Sequence, residues 1–142
     1  MSDDALLAAA ARLLGPERGE GELATSELAL QRCDDCGYVR HPPAPRCPEC
    51  LGASAHWQPD AGLGYVWSVC VYHRAYDPAF ADAVPYNVAL VELDAGPRLI
   101  SNVLDVAPGE LRIGLRVVAS PREVLPGRFL VYFAPDRRGA RS

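Results

Sequence analysis

Four cysteines constrain this chain more than any other feature: Cys33-Asp34-Asp35-Cys36 and Cys47-Pro48-Glu49-Cys50, with ten residues between the pairs. A C-x-x-C turn aims two sulfurs at one point. Two such turns build a tetrahedron of thiolates, the donor set that a structural zinc ion takes. Gly37 follows the first pair, where a tight knuckle needs a residue free to take positive φ, and Pro48 stiffens the second. The spacing predicts Cys33, Cys36, Cys47 and Cys50 as ligands of one structural zinc. A closed four-sulfur site keeps no coordination position open for chemistry, so the metal is expected to brace the fold.

Composition narrows the class. The chain has 142 residues, enough for one ordinary domain or two very small ones, with 49% hydrophobic and 23% charged residues, as in soluble globular proteins. No apolar run approaches the ~18 residues of a membrane span. The start, Met1-Ser2-Asp3-Asp4, is acidic where a signal peptide would be basic, which predicts a cytoplasmic protein and metal rather than disulfides. A net charge of −4 argues against nucleic acid as the partner. All fourteen basic residues are arginine, a bias that reads as GC-rich coding and not as function.

The remaining pattern is mainly β. Ser2 caps a predicted helix that carries Asp3 and Asp4 in its first turn and ends at Gly15-Pro16. Leu6, Leu7, Ala10, Leu13 and Leu14 share one face of it, and the face serves either the chain's own domain or a partner. Residues 15–22 read as a linker. Leu28–Arg32, Tyr38–Arg40 and Ala55–Gln58 form a small ribbon around the knuckles, and His41-Pro42-Pro43-Ala44-Pro45 is a stiff connection. From Gly62 onward strands are expected. Tyr65, Trp67, Val69 and Val71 are placed on one face of the first, and Val66, Ser68, Cys70 and Tyr72 on the other. Further strands are expected at Asn87–Leu93, Arg98–Leu104, Arg116–Ala119 and Phe129–Phe133, with a turn of helix at Ala107–Leu111. Five short strands with one helical turn predict an OB-type barrel. The division is helix and linker over 1–22, ribbon over 23–60, barrel over 61–135 and a fraying tail over 136–142.

Other candidate residues each have an ordinary reading. Cys70 is expected to be a small buried hydrophobe. His41 and His56 flank the ribbon, but four sulfurs already complete the metal site. His73 sits where a barrel mouth would be, with no carboxylate or nucleophile at a recognisable spacing, so a surface histidine is expected. No nucleophile elbow, phosphate loop or dinucleotide fingerprint is present, so no catalytic residue is assigned. Tyr72, Arg74, Tyr76, Phe80 and Tyr86 concentrate aromatic and cationic groups around one long loop, and with His73 are read as an interaction surface.

The ordered set Gln31-Arg32-Cys33-Asp34-Asp35-Cys36-Gly37, His41-Pro42-Pro43, Cys47-Pro48-Glu49-Cys50, Gly62-Leu63-Gly64-Tyr65-Val66-Trp67-Ser68, Tyr86–Leu93, Gly96–Leu99 and Leu111–Gly114 resembles the acyl-CoA-associated zinc-ribbon/OB-fold family. The resemblance runs from about Leu28 to Pro135. It implies a rubredoxin-like zinc ribbon followed by an OB barrel. It also implies a non-catalytic companion of a thiolase-like enzyme, a thiolase or aldolase that makes or breaks carbon–carbon bonds beside an acyl-CoA thioester, as in steroid or aromatic degradation. The implied assembly is a heterotetramer, two small subunits on a thiolase-like dimer, with acyl-CoA held mainly by the partner. Tyr72, His73, Arg74, Tyr76, Phe80 and Tyr86 would then face the partner or its acyl-CoA channel. The family commonly opens with an aromatic-rich helix; here that segment is an Ala/Leu helix. Arg32, Arg40, Arg46 and Arg74 are the cations placed to meet a coenzyme A phosphate. Two alternatives stand beside this reading. One is a single-stranded nucleic-acid module, against which the acidity counts. The other is iron-based electron transfer, against which the close knuckle spacing and the barrel count.

Overall fold

The computed structural model describes residues 2–14 and 27–138. The linker read at 15–22 and the last four residues of the tail lie outside them. The elements are α1 (Asp3–Leu14), β1 (Ala29–Cys33), β2 (Val39–Arg40), β3 (Ala55–Pro59), β4 (Leu63–Tyr72), a 3₁₀ turn (Pro78–Phe80), β5 (Tyr86–Leu93), β6 (Arg98–Ser101), β7 (Arg116–Leu125) and β8 (Arg128–Pro135).

Two antiparallel sheets follow from this order: β2-β1-β3 in the ribbon and β6-β5-β4-β7-β8 in the barrel. The barrel sheet curls until its ends meet. Val103 forms a parallel bridge to Phe133, with Leu104 N–H donating to the Phe133 carbonyl at 2.7 Å and Phe133 N–H donating to Asn102 at 3.1 Å. The result is the mainly β architecture of helix, ribbon and OB barrel expected from the sequence.

Alternation places the core. Along β5, Asn87, Ala89, Val91 and Leu93 are buried, while Tyr86, Val88, Leu90 and Glu92 face the other way. Val66, Leu99, Val117 and Phe133 meet the buried set. Leu28 and Leu30 of the ribbon join the same cluster, with Val39 packed against it. The ribbon therefore has no separate core; its first strand is anchored in that of the barrel. Each of those leucines contributes roughly 1.5–3 kcal/mol by leaving water.

The helix packs on its own chain. Leu6 and Ala9 are fully buried against Ala83, Leu104 and Tyr132. Ala9, which borders the expected stripe without belonging to it, is buried and Leu13 is exposed, so the buried stripe is rotated from the expected one. Arg12 donates to the Ala79 carbonyl, and the Asp3 carboxylate accepts from Asp105 N–H at 2.9 Å. A helix of this length gains most of its stability from such packing.

Four expectations need correction. The strand from Arg98 stops at Ser101, because Asn102 and Val103 turn away to close the barrel. The last two strands form a long hairpin, Arg116–Leu125 with Arg128–Pro135, and their pairing runs well beyond the apolar residues that marked them. Ala107–Leu111 makes a single turn closed by Glu110 N–H on the Ala107 carbonyl, not a helix. Finally, β4 does not alternate regularly. Val66 pairs with Val91 but Ser68 pairs with Leu90, so a β-bulge at Trp67 shifts the phase by one residue. Beyond it Val69 and Val71 share the face of Val66, while Ser68, Cys70 and Tyr72 turn outward. Cys70 is consequently exposed, not buried.

Candidate metal centre and aromatic face

The four knuckle sulfurs converge. All lie within 4.8 Å of one another, with Cys33 to Cys50 and Cys36 to Cys47 both at 3.6 Å. A zinc ion with Zn–S bonds of about 2.3 Å requires sulfur–sulfur edges of about 3.8 Å, so the donor set fits this ion. The two turns supply matching backbone donors. Cys36 and Asp35 N–H groups point at Cys33, Cys50 and Glu49 at Cys47, Tyr38 at Cys36, and Gly52 at Cys50.

Donors, burial and neighbouring sulfurs together split the thiols. The Cys36 and Asp35 N–H groups hold Cys33 down at about 6. Cys47 is also lowered, against the cost of burial, by the N–H groups of Cys50 and Glu49. Cys50 is pushed up to about 12: the Gly52 N–H favours its thiolate, but the crowding sulfurs of Cys33 and Cys36 outweigh it. Cys36 rises as well, since burial and the Cys47 sulfur oppose the Tyr38 N–H. Four thiolates this close are mutually repulsive until a divalent cation sits among them.

Gly37 turns through φ 79°, as the spacing required, and its counterpart after the second pair is Leu51 at φ 64° with its side chain exposed. Neither histidine joins the sulfur cluster. His56 Nδ1 instead lies 2.5 Å from Asp34 Oδ1 in an exposed pair. Arg40 is buried, with Nε donating to Gln31 Oε1 at 2.6 Å and Nη2 to the Ala44 carbonyl at 3.0 Å, so it ties the His41–Pro45 connection to the ribbon and is not offered to a phosphate. Arg46 donates to the Leu51 carbonyl at 3.0 Å and Arg32 to Gln58 Oε1 at 3.4 Å; both remain exposed.

The loop between β4 and β5 brings most of its candidates together. The Asp77 carboxylate caps the 3₁₀ turn by accepting from Ala79 N–H at 2.8 Å, and Pro78 fits its first position. Asp77-Pro78 was the sequence signal for this element. Tyr76 meets Tyr72 edge-on at 6.2 Å, Tyr72 leans on Tyr86 at 5.3 Å, and Tyr86 meets Phe80 at 5.1 Å. Arg74 lies over the Tyr76 ring at 5.3 Å. His73 is exposed and joins none of these ring contacts. Desolvation, the largest cause, raises the Tyr86 hydroxyl above its ordinary value.

Sequence reasoning missed a second cluster on the same sheet. The bulge turns Trp67 outward, and the Arg98 guanidinium stacks on it at 3.9 Å. Arg98 Nε donates to Glu92 at 3.0 Å, and Glu92 also accepts from the Tyr65 hydroxyl. Those two donors, Tyr65 foremost, hold the Glu92 carboxyl below its usual range. The register Tyr65↔Glu92↔Arg98 was the available signal, and it depends on pairing that one strand does not reveal.

Two family models match in tandem: the ChsH2 rubredoxin-like zinc ribbon domain over residues 22–56 and the ChsH2 C-terminal OB-fold domain over 57–121. The scaffold protein with a DUF35 domain from Methanothermobacter thermautotrophicus is 35% identical over 98 residues, 68% of this chain and 73% of its own length. The chain belongs to the ChsH2 zinc-ribbon/OB-fold family. Within the ChsH2 family the resemblance extends to a solved structure. A chain of the Ltp2-ChsH2(DUF35) aldolase superposes with a TM-score of 0.69 at 37% identity, covering 95% of both chains. A probable enoyl-CoA hydratase alpha subunit from Thermomonospora curvata is 44% identical over 108 residues, 76% of this chain and 33% of its own length. The Mycobacterium tuberculosis 3-oxo-4,17-pregnadiene-20-carboxyl-CoA hydratase alpha subunit is 34% identical over 94 residues, 66% of this chain and 29% of its own. The chain thus spans about a third of the hydratase subunits it matches. Among the described residues, no helix is long and apolar enough to cross a membrane.

Proposed function

We propose that this chain is a non-catalytic, zinc-binding accessory subunit of a thiolase-like acyl-CoA enzyme that makes or breaks carbon–carbon bonds in bacterial steroid or aromatic degradation. Cys33, Cys36, Cys47 and Cys50 hold one zinc that braces the ribbon against the barrel. The loop bearing Tyr72, His73, Arg74, Tyr76, Phe80 and Tyr86 faces the partner and helps to shape its acyl-CoA channel. The expected assembly is two copies on a dimer of the catalytic chain. The observation that carries this reading is the end-to-end correspondence with a chain of the Ltp2-ChsH2(DUF35) aldolase, 95% of both. The ring series from Tyr76 to Phe80 supports the placing of the loop, since its inner rings Tyr86 and Phe80 hold the exposed Tyr72 and Tyr76 in place, and exposed aromatics are characteristic of interfaces.

The test is co-expression with the thiolase-like chain of the same genome, followed by size-exclusion chromatography and metal analysis. One zinc per small subunit and a stable two-plus-two complex are expected. Separate elution of the two chains at micromolar concentration, with intact zinc, would overturn the proposal.

A further inference from the structure

The outer face of the β4-β5-β6 sheet breaks the pattern that water imposes. One face of an antiparallel sheet packs on the core, and the other should be polar if solvent covers it. Here the outward rows are Tyr72–Tyr86, Cys70–Val88, Ser68–Leu90–Ile100 and Tyr65–Glu92–Arg98. Three of the four are apolar or aromatic, apart from Ser68. Ile100 is 77% exposed, and beside it an apolar groove of about 270 Å³ opens between Leu13, Phe80 and Leu130. The strip continues without interruption into the aromatic loop through Tyr72 and Tyr86.

The fourth row is polar in a specific way. Arg98 has its flat face on Trp67 and its Nε on Glu92, so the guanidinium is fixed from two sides. Both its Nη groups are left without a hydrogen-bond partner among the described residues. A fixed fork with two free donors matches a carboxylate bidentately. Tryptophan with arginine at the edge of an apolar field is also the composition of an interface hot spot. The bulge that presents Trp67 is a local departure from regular pairing of the kind that re-aims side chains at functional surfaces.

We infer that this outer sheet face, centred on Ile100 and the Arg98–Trp67 stack, is the docking surface for the catalytic chain. The matching patch on that chain is apolar, and one of its Asp or Glu side chains engages the Arg98 fork. The inference rests on the proposed accessory role and names where the partner seats.

The test uses full-length protein co-expressed with the thiolase-like chain, and the dissociation constant of the purified pair. Ile100→Glu is expected to weaken association by more than about tenfold. Arg98→Ala should weaken it by about tenfold and reduce its salt dependence, and Arg98→Lys should restore only part. Trp57→Glu is the control, because Trp57 is 48% exposed on β3 of the ribbon sheet, outside these rows; it should bind within about twofold of wild type. Zinc content and circular dichroism establish that each variant is folded. If wild type binds and Ile100→Glu and Arg98→Ala bind as tightly, the docking face is wrong and the accessory role stands. If folded wild type binds no such chain, both fall.

Discussion

Asn87 shows how much one polar side chain can hold. It is fully buried on the core face of β5, where every neighbour in the strand's pattern is aliphatic. Its side chain does what a strand would do. Nδ2 donates to the Val103 carbonyl at 2.9 Å, and Oδ1 accepts from Val103 N–H at 2.8 Å. Val103 leads the chain from β6 back to the closure at Phe133, so Asn87 stands in for a missing rung of ladder. Removing it leaves two buried main-chain groups unpaired. Asn87→Ala is expected to cost about 2–4 kcal/mol, read from urea unfolding; a loss below about 0.5 kcal/mol would show that water or relaxation replaces the amide. The sequence placed Asn87 at a strand start but could not reveal this role, because its partner lies sixteen residues on. Cys70 teaches the converse. Its identity suggested burial, and its register put it outside.

At the scale of elements, the ribbon and the barrel are coupled through β1. Leu30 of β1 and Leu28 just before it sit in the barrel core, while Cys33, at the end of the strand, is a knuckle sulfur. Stripping zinc with a chelator should therefore lower the melting temperature of the barrel as well as unfold the knuckles. A single transition, shifted down by at least about 5 °C and monitored by near-ultraviolet dichroism of Trp67 and Tyr132, is expected. A barrel transition that does not move on zinc loss would contradict the coupling. The knuckles were legible in the sequence because a C-x-x-C turn is local, and each strand's presence was legible because alternation is local. Strand ends, the closing bridge and the rotated stripe of α1 were not legible. Each is set by what an element meets across the fold: Ala9 is buried only because Ala83 and Leu104 lie opposite.

Across the whole molecule, charge is organised in exposed pairs on the barrel. Arg116 forks Asp94 at 2.9 and 2.7 Å, Arg137 meets Glu110 at 2.9 Å, and Arg138 meets Asp136 at 2.9 Å. In each case the arginine is the main reason that the carboxyl lies below its ordinary value. Glu92 is lowered likewise, first by Tyr65 and then by Arg98. The sign follows directly. A carboxyl depressed in the folded state contributes stability above its unfolded value and loses it as pH falls through the folded one. The urea midpoint should be flat from pH 8 to about 5 and decline below about 4.5, modestly for each exposed pair. Protons also displace zinc from thiolates in the same direction, so zinc content should be followed in parallel. A midpoint that rises on acidification below pH 5 would refute this. The bulge at Trp67 has the widest reach of any single residue. A strand is a sequence of odd and even positions, and Trp67 is the one place in β4 where the count is changed. Were Trp67 paired as an ordinary rung opposite Leu90, everything beyond it would exchange parity: Val69 would turn to water, and Ser68 and Cys70 would face the core. Which side of this sheet is inside and which is presented to the world is thus decided by whether one residue is counted in the ladder or bulged out of it.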